Sequence, residues 1–254
     1  MTTSTLPARM NAATYDSAAA FMLAPATVER GRALGFADGM QFYFAGRCGV
    51  LGDAAPDVVA SAHGFLAPGY AATVWPAAGE VCPRAVAVQE FAQACETYGE
   101  AALGELPPAD AARTAELVAA LVDGVPVSGK VLFAGWRALD RPTGPRGRAA
   151  HLLQVLREWR GGTHVACLAA HGIGPLEAIM ANGGPVYAEI FGWPAPWPEP
   201  GEAASRMPAV EEATDAACWR WMAGQLGEDG ADELVRRVEE ATAAIAEHGK
   251  AGGA

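Results

Sequence analysis

The chain has 254 residues, 51% of them hydrophobic and 19% charged, with a formal net charge of −11. It is long enough to bury a sizeable core, as one large domain or two small ones. No apolar run reaches the length of a transmembrane helix, and an acidic chain repels anionic membrane and nucleic acid, so neither is expected as a partner.

Residues 1–17 carry one Arg and no apolar segment of the kind a signal peptide needs, so they read as a flexible N-terminus and the protein as cytoplasmic. The five cysteines are scattered and form no CxxC pair, which fits reduced thiols better than a disulfide framework or a structural zinc site.

Helix signals dominate from there on. Residues 18–34 have helical apolar spacing that Pro25 must start or break. The aromatic run Phe42-Tyr43-Phe44 lies in a segment, 39–47, that fits a short buried helix or a strand. Pro56-Asp57 opens a short helix, and residues 64–83 read as irregular because of Pro68, Gly69, Pro76 and Gly79. Val88, Phe91, Ala92, Cys95 and Tyr98 mark one face of a long amphipathic helix over 84–103. A helix over 109–121 follows, with Asp110 as its expected N-cap, and then a short strand at 130–134.

Residues 140–148 are rich in Arg, Pro and Gly and form the expected internal boundary, a solvated connection carrying the one basic stretch, Arg137 to Arg148. Beyond it, Gly161-Gly162 predicts a tight turn between helices 149–159 and 163–171, with Thr163 as N-cap. A helix at 175–182, a Pro/Trp loop at 192–201 and two final helices, 210–226 and 231–248, complete the chain. The expected fold is a mainly α helical bundle with a winged-helix-like or helix-turn-helix-like part and few or no strands. Its parts are 18–139 and 149–248, or one compact domain.

An antiparallel hairpin about Gly161-Gly162 brings His151 near His171 and Trp159 near His164, with Glu158 beside the turn. His151, His164 and His171 are then candidate ligands of a divalent metal, the one cofactor this pattern suggests. Alternatively, His151, His164 and Glu158 are candidate acid/base residues. Arg47, following the aromatic run, and Arg157 are candidate anchors for an anionic group, with Tyr43 and Phe44 beside them. Cys167 is the only cysteine placed near histidines, and Trp193, Trp197, Trp219 and Trp221 either line a cavity or cover the core. No phosphate-binding glycine loop or serine-nucleophile motif is present.

Residues 164–182 also read as helix, glycine turn, helix, but the second helix, Pro175 to Asn182, is apolar with one acid. That composition lacks the donors a DNA reader uses, which reinforces the expectation of no nucleic-acid partner.

The stretch Leu156-Arg157-Glu158-Trp159-Arg160-Gly161-Gly162-Thr163-His164, with His151 before it, resembles an actinobacterial family of helical proteins related to winged-helix (MarR-like) regulators. Tyr43-Phe44-Ala45-Gly46-Arg47 followed by Leu51-Gly52 and Pro56-Asp57-Val58-Val59 is similar to a second patch of that family. Ala150 and Trp159 depart from the family's pattern, and the C-terminal part departs more widely. The resemblance covers most of 18–183 and implies a fold more than an activity. Two functions are expected from these features. The first is a small-molecule-binding helical protein, or an enzyme using His-centred acid/base or metal chemistry on an organic substrate. The second is a non-catalytic winged-helix-like regulator or interaction protein that forms a homodimer.

Overall fold

The computed structural model describes residues 5–252. They form twelve α-helices and no strand: α1 (Leu6–Ala19), α2 (Pro25–Leu34), α3 (Gly39–Cys48), α4 (Pro56–His63), α5 (Pro68–Val81), α6 (Arg84–Ala102), α7 (Pro108–Gly124), α8 (Val131–Arg137), α9 (Pro145–Ala170), α10 (Pro175–Asn182), α11 (Gly184–Ile190) and α12 (Gly201–Gly252). A 3₁₀ turn, Gly49–Leu51, follows α3. The mainly α class is therefore as expected. Six of the helices open on proline, which loses nothing at a first position where the N–H has no intrahelical partner. No single described helix is long and apolar enough to cross a membrane.

The core is built around α9. Ala149, Ala150, His151, Leu152, Leu153, Val155 and Leu156 are all buried, so this part of the helix is covered on every side. Helices α1, α6, α7, α8 and α12 pack against it. One hydrophobic cluster runs from Met10 to Ile245 and includes Phe91, Trp136, Trp159 and Leu234. Both segments, 18–139 and 149–248, contribute residues to this cluster, and two smaller clusters lie about Leu168 and Val210 and about Val59 and Trp75.

Several elements differ from expectation. The largest difference is at Gly161-Gly162, which does not turn: α9 runs through both glycines for 26 residues, about 39 Å at the usual rise. Thr163 is not an N-cap; its hydroxyl donates to the Trp159 carbonyl one turn back, at 3.0 Å. Two adjacent glycines cost a helix about 1 kcal/mol each relative to alanine. Packing along α9 outweighs that local penalty, because most helical stability in a folded chain is tertiary.

The strand expected at 130–134 is helix α8, whose Leu132, Phe133 and Trp136 are buried. A short apolar run has no periodicity to separate the two states. Residues 68–81, expected to be irregular, are helix α5 despite Pro76. Trp75 anchors it: its indole N–H donates to the Ala54 carbonyl at 2.8 Å, and the Arg84 guanidinium lies 3.5 Å over its ring. Of the N-terminus expected to be flexible, residues 1–4 lie outside the described residues, and most of the rest is α1, packed on α12. Pro107, not Asp110, is the N-cap of α7, and it makes no side-chain cap; at the start of α3 the Asp38 carboxylate accepts from Gln41 N at 2.8 Å.

The basic stretch is not a loose connection. Arg137 donates to the Val122 and Val125 carbonyls, Arg146 donates to the Leu106 carbonyl, and Arg141 pairs with Asp123 at 2.5 Å. These arginines tie 140–148 down instead of presenting a patch. Gly227 interrupts α12 with φ +70°, separating the two final helices that the sequence predicts.

Candidate functional site

Helix α3 places Tyr43 and Arg47 one turn apart on one face, and α9 does the same for Gln154 and Glu158. Arg47 Nε and Nη2 donate to the two Glu158 carboxylate oxygens at 2.7 and 3.0 Å. Arg47 Nη1 donates to the Tyr43 hydroxyl at 2.7 Å, and Gln154 Nε2 donates to Glu158 Oε1 at 2.7 Å. The Trp136 indole N–H caps the Arg47 carbonyl at 3.0 Å. The two charged side chains are 8% and 2% exposed. Burial pushes the Glu158 carboxyl up, but the Arg47 charge and hydrogen bonds outweigh it and hold it below the usual range. Burial pulls Arg47 down, and Glu158 outweighs it in turn, so both stay ionised. A forked, hydrogen-bonded pair of this kind fixes α3 against α9 at one register.

This pair forms part of the wall of a cavity of about 1030 Å³. α1 contributes Tyr15, α4 contributes His63, α8 and its approach contribute Phe133 and Lys130, and α11 and its end contribute Tyr187 and Phe191. From α9 come Arg157, Gly161, His164 and Val165, at the i, i+4, i+7, i+8 spacing of one helix face. Gly64 ends α4 with φ +86°, and a Cβ there would lie 2.5 Å from Val165 Cγ2; glycine is what lets α4 close against α9 at the cavity edge.

Two histidines face this space. His164 Nδ1 lies 3.2 Å from Thr214 Oγ1, whose own proton goes to the Val210 carbonyl at 2.8 Å. Nδ1 is therefore the donor and Nε2 the acceptor. Burial, and secondarily the Arg160 charge, lower His164 to about 4, so it is neutral near pH 7. His63 Nε2 lies 3.2 Å from the Tyr43 hydroxyl, and its Nδ1 is buried without a partner. Burial and then the Arg47 and Arg157 charges hold His63 well below its usual range. The Tyr43 hydroxyl, raised by burial, keeps its proton. It accepts from Arg47 and passes its own proton toward His63.

Of the residues singled out in the sequence, Tyr43, Arg47, Arg157, Glu158 and His164 thus meet at one cavity. Phe44 does not: it is buried behind Tyr43, with ring centroids 5.0 Å apart. His151 packs against Trp136, centroids 6.0 Å apart, and burial first, then Arg141 and Arg148, lower it to about 4. His171 sits at the end of α9, where its Nδ1 meets the Cys167 carbonyl at 2.8 Å.

The expected convergence of His151, His164 and His171 required the hairpin, and the continuous helix separates them. The first two are thirteen positions apart, about 20 Å of rise, and on roughly opposite faces. No group of three His, Cys, Asp or Glu side chains among the described residues is arranged to hold a metal ion. Cys167 and the four tryptophans named above lie outside the cavity wall; Trp193 donates to the Phe65 carbonyl and Trp197 to the Trp193 carbonyl. His63, Lys130, Tyr15 and Phe191 come from separate elements, and nothing in their local sequence marks them. His63, the last residue of the Pro56 helix, is connected to the site by edge contacts with the rings of Tyr43, Phe44 and Phe191.

The cavity also reaches the helix pair that the sequence suggested. α9 and α10 meet at 107° across residues 171–174, a turn made possible by Gly172 at φ +64°. A right-angled pair joined by a four-residue glycine turn is helix-turn-helix geometry. α10 adds Ala178, Ile179 and Asn182 to the cavity wall.

No curated protein and no solved structure matches this chain. A helix-turn-helix family model does match it, over residues 8–203. That match overturns the expectation that nucleic acid is not a partner, because the helix-turn-helix is a DNA-reading module. The net charge of −11 is a sum over the whole chain and does not decide what one helix pair contacts. With most of its length matched, this chain belongs to the helix-turn-helix family.

Proposed function

We propose that this protein is a ligand-responsive regulator: a small organic molecule occupies the cavity, and nucleic acid is the second partner. One observation carries this reading. The cavity wall is shared by α9 and α10, the two helices that meet at 107° about a glycine turn, as the helices of a helix-turn-helix do. A molecule bound there touches both, so any preference for one angle becomes a shift in the population that nucleic acid selects. Homodimer formation belongs to the same reading, since such modules commonly read paired half-sites.

The test is a gel-shift series on duplex genomic fragments at rising salt, with wild type and Ile179→Trp. The substitution places an indole where Ile179 meets the cavity and imitates occupancy. Retention of a fragment by wild type that weakens steeply with salt, and altered retention by the variant, is the expected result. Absence of binding to any fragment at low salt would sink the regulatory reading. Sedimentation of the free protein as a monomer at every concentration would remove the dimer.

A second reading, acid/base chemistry on an organic substrate, is supported by the chain of contacts Glu158–Arg47–Tyr43–His63, which ends in a cavity-lining histidine whose Nδ1 is buried without a partner. His63 and His164 are the proton carriers in that case. Glu158 acts by fixing Arg47 and not by orienting a histidine. Recovery of a bound molecule chemically unchanged after prolonged incubation, by mass spectrometry, argues against it.

A further inference from the structure

We infer that the cavity takes an aromatic organic acid, with its anionic group held by Arg157 and Lys130 over the Gly161-Gly162 surface of α9. This rests on the reading of the cavity as a ligand site and adds the ligand's chemical class.

Four cations line the cavity, Arg47, Lys130, Arg157 and Arg160, together with four carboxylates, Asp57, Glu158, Glu211 and Asp215. Asp215 accepts from Asn11, and Asp57 is exposed to solvent. Arg47 is committed, each of its three nitrogens donating to Glu158 or Tyr43. Arg160 is paired with Glu211 at 2.7 Å. Arg157 has only a 3.6 Å approach to Glu158 Oε1, an oxygen that already accepts from Arg47 and Gln154. Its Nε is buried without a hydrogen-bond partner, although its side chain is only 14% exposed. Lys130 makes no ion pair among the described residues. Two cations are therefore available, one of them largely desolvated, where a carboxylate or sulfonate would be bound by charge-assisted hydrogen bonds.

The tandem glycines make room for it. A Cβ on Gly162 would fall 2.8 Å from Lys130 Cγ, so the lysine stem lies directly across the helix at that point. A Cβ on Gly161 would meet nothing within 4 Å, and Gly161 faces the cavity one turn after Arg157. Helix-disfavouring residues at these two positions give a smooth floor beside both cations. Tyr15, Phe65, Phe133, Tyr187 and Phe191 add aromatic surface to the wall. The Arg157 guanidinium already lies 5.4 Å from the Tyr15 ring centroid, an arrangement that holds its fork in place. A largely apolar enclosure with two uncommitted cations is complementary to a flat apolar body bearing a single anion.

Two fluorescent probes of the same ring system test this: anilinonaphthalene sulfonate, which is anionic, and N-phenylnaphthylamine, which lacks the sulfonate. The sulfonate is expected to bind about tenfold tighter or better than the neutral amine, the scale of one charged hydrogen bond. Arg157→Gln and Lys130→Gln should each weaken the sulfonate by about tenfold and leave the amine within about twofold. Arg157→Lys should recover most of the sulfonate affinity, and unchanged melting temperatures establish that the variants are folded. Gly161→Leu, which fills the floor, should weaken both probes.

Equal affinity for the two probes, unaffected by Arg157→Gln while Gly161→Leu still blocks them, overturns the acid class and leaves the cavity as a ligand site. Binding of both probes unaffected by Gly161→Leu overturns the ligand-site reading as well.

Discussion

Arg47 and Glu158 are the two residues on which the site is built. Taking such a pair out of water costs much of what its Coulomb attraction returns, so its net contribution to stability is small. Breaking it is different. Glu158→Gln leaves the Arg47 guanidinium buried without a counter-charge, and about 3–5 kcal/mol of stability should be lost, measured as a shift of the urea midpoint at constant slope. Arg47→Met with Glu158→Leu should restore most of that stability while removing the anchor that sets α3 against α9. If the single and double variants were equally unstable, the pair would be providing net stability as well as position. Tyr43 and Arg47 at i, i+4, and Glu158 beside Arg157, were all legible in the sequence as candidates. Which of them faced a cavity and which were already spent on each other was not, because partners 111 residues apart in the chain leave no local trace.

Among the helices, α9 carries the most information. Its glycines read as a turn because helix propensity is a local quantity, and locally a tandem glycine is the worst place to continue. The structure predicts the opposite response to substitution. Gly161→Ala should raise stability by about 1 kcal/mol, since its new Cβ meets open space in an unbroken helix. A loss of stability would show that the residue adopts the backbone of a turn. Gly46→Ala in α3 is the contrasting case. Its Cβ would sit 2.3 Å from Phe91 Cβ, and about 1–3 kcal/mol should be lost to overpacking. Thermal melts of the two variants side by side decide both.

For the molecule as a whole, acid is the informative perturbation. His151 and His164 are lowered to about 4 and His63 is also lowered, all chiefly by burial. The unfolded chain binds these protons below pH about 6.5, whereas the folded chain resists them until about pH 4. Stability is therefore fully present above pH 7 and falls as pH drops through that window, each of the two histidines contributing on the order of 3 kcal/mol. Asp215, raised by burial, works in the other direction and offsets part of the loss. Urea midpoints between pH 7.5 and pH 4.5, on a scale of about one unit per step, should show this slope. His151→Leu, away from the cavity and beside Trp136, should flatten it; an unchanged slope would mean that His151 is not buried neutral.

The sequence by itself determined the helical class, the helix starts at Pro56 and Pro175, and a grouping of aromatic, Arg, Glu and His residues worth locating in space. Those features are periodic or local, so one strand of text carries them. Only the tertiary structure decided that α9 is continuous, that His151 and His171 are parted from His164, and that Lys130, His63 and Tyr15 join Arg157 around one cavity. These depend on packing between elements distant in sequence, which overrides local propensity and which no composition or net charge records. The same reason separates net charge from nucleic-acid binding: a charge total counts residues, whereas a helix-turn-helix is a spatial relation between two helices, of the kind that α9 and α10 make at 107° about Gly172.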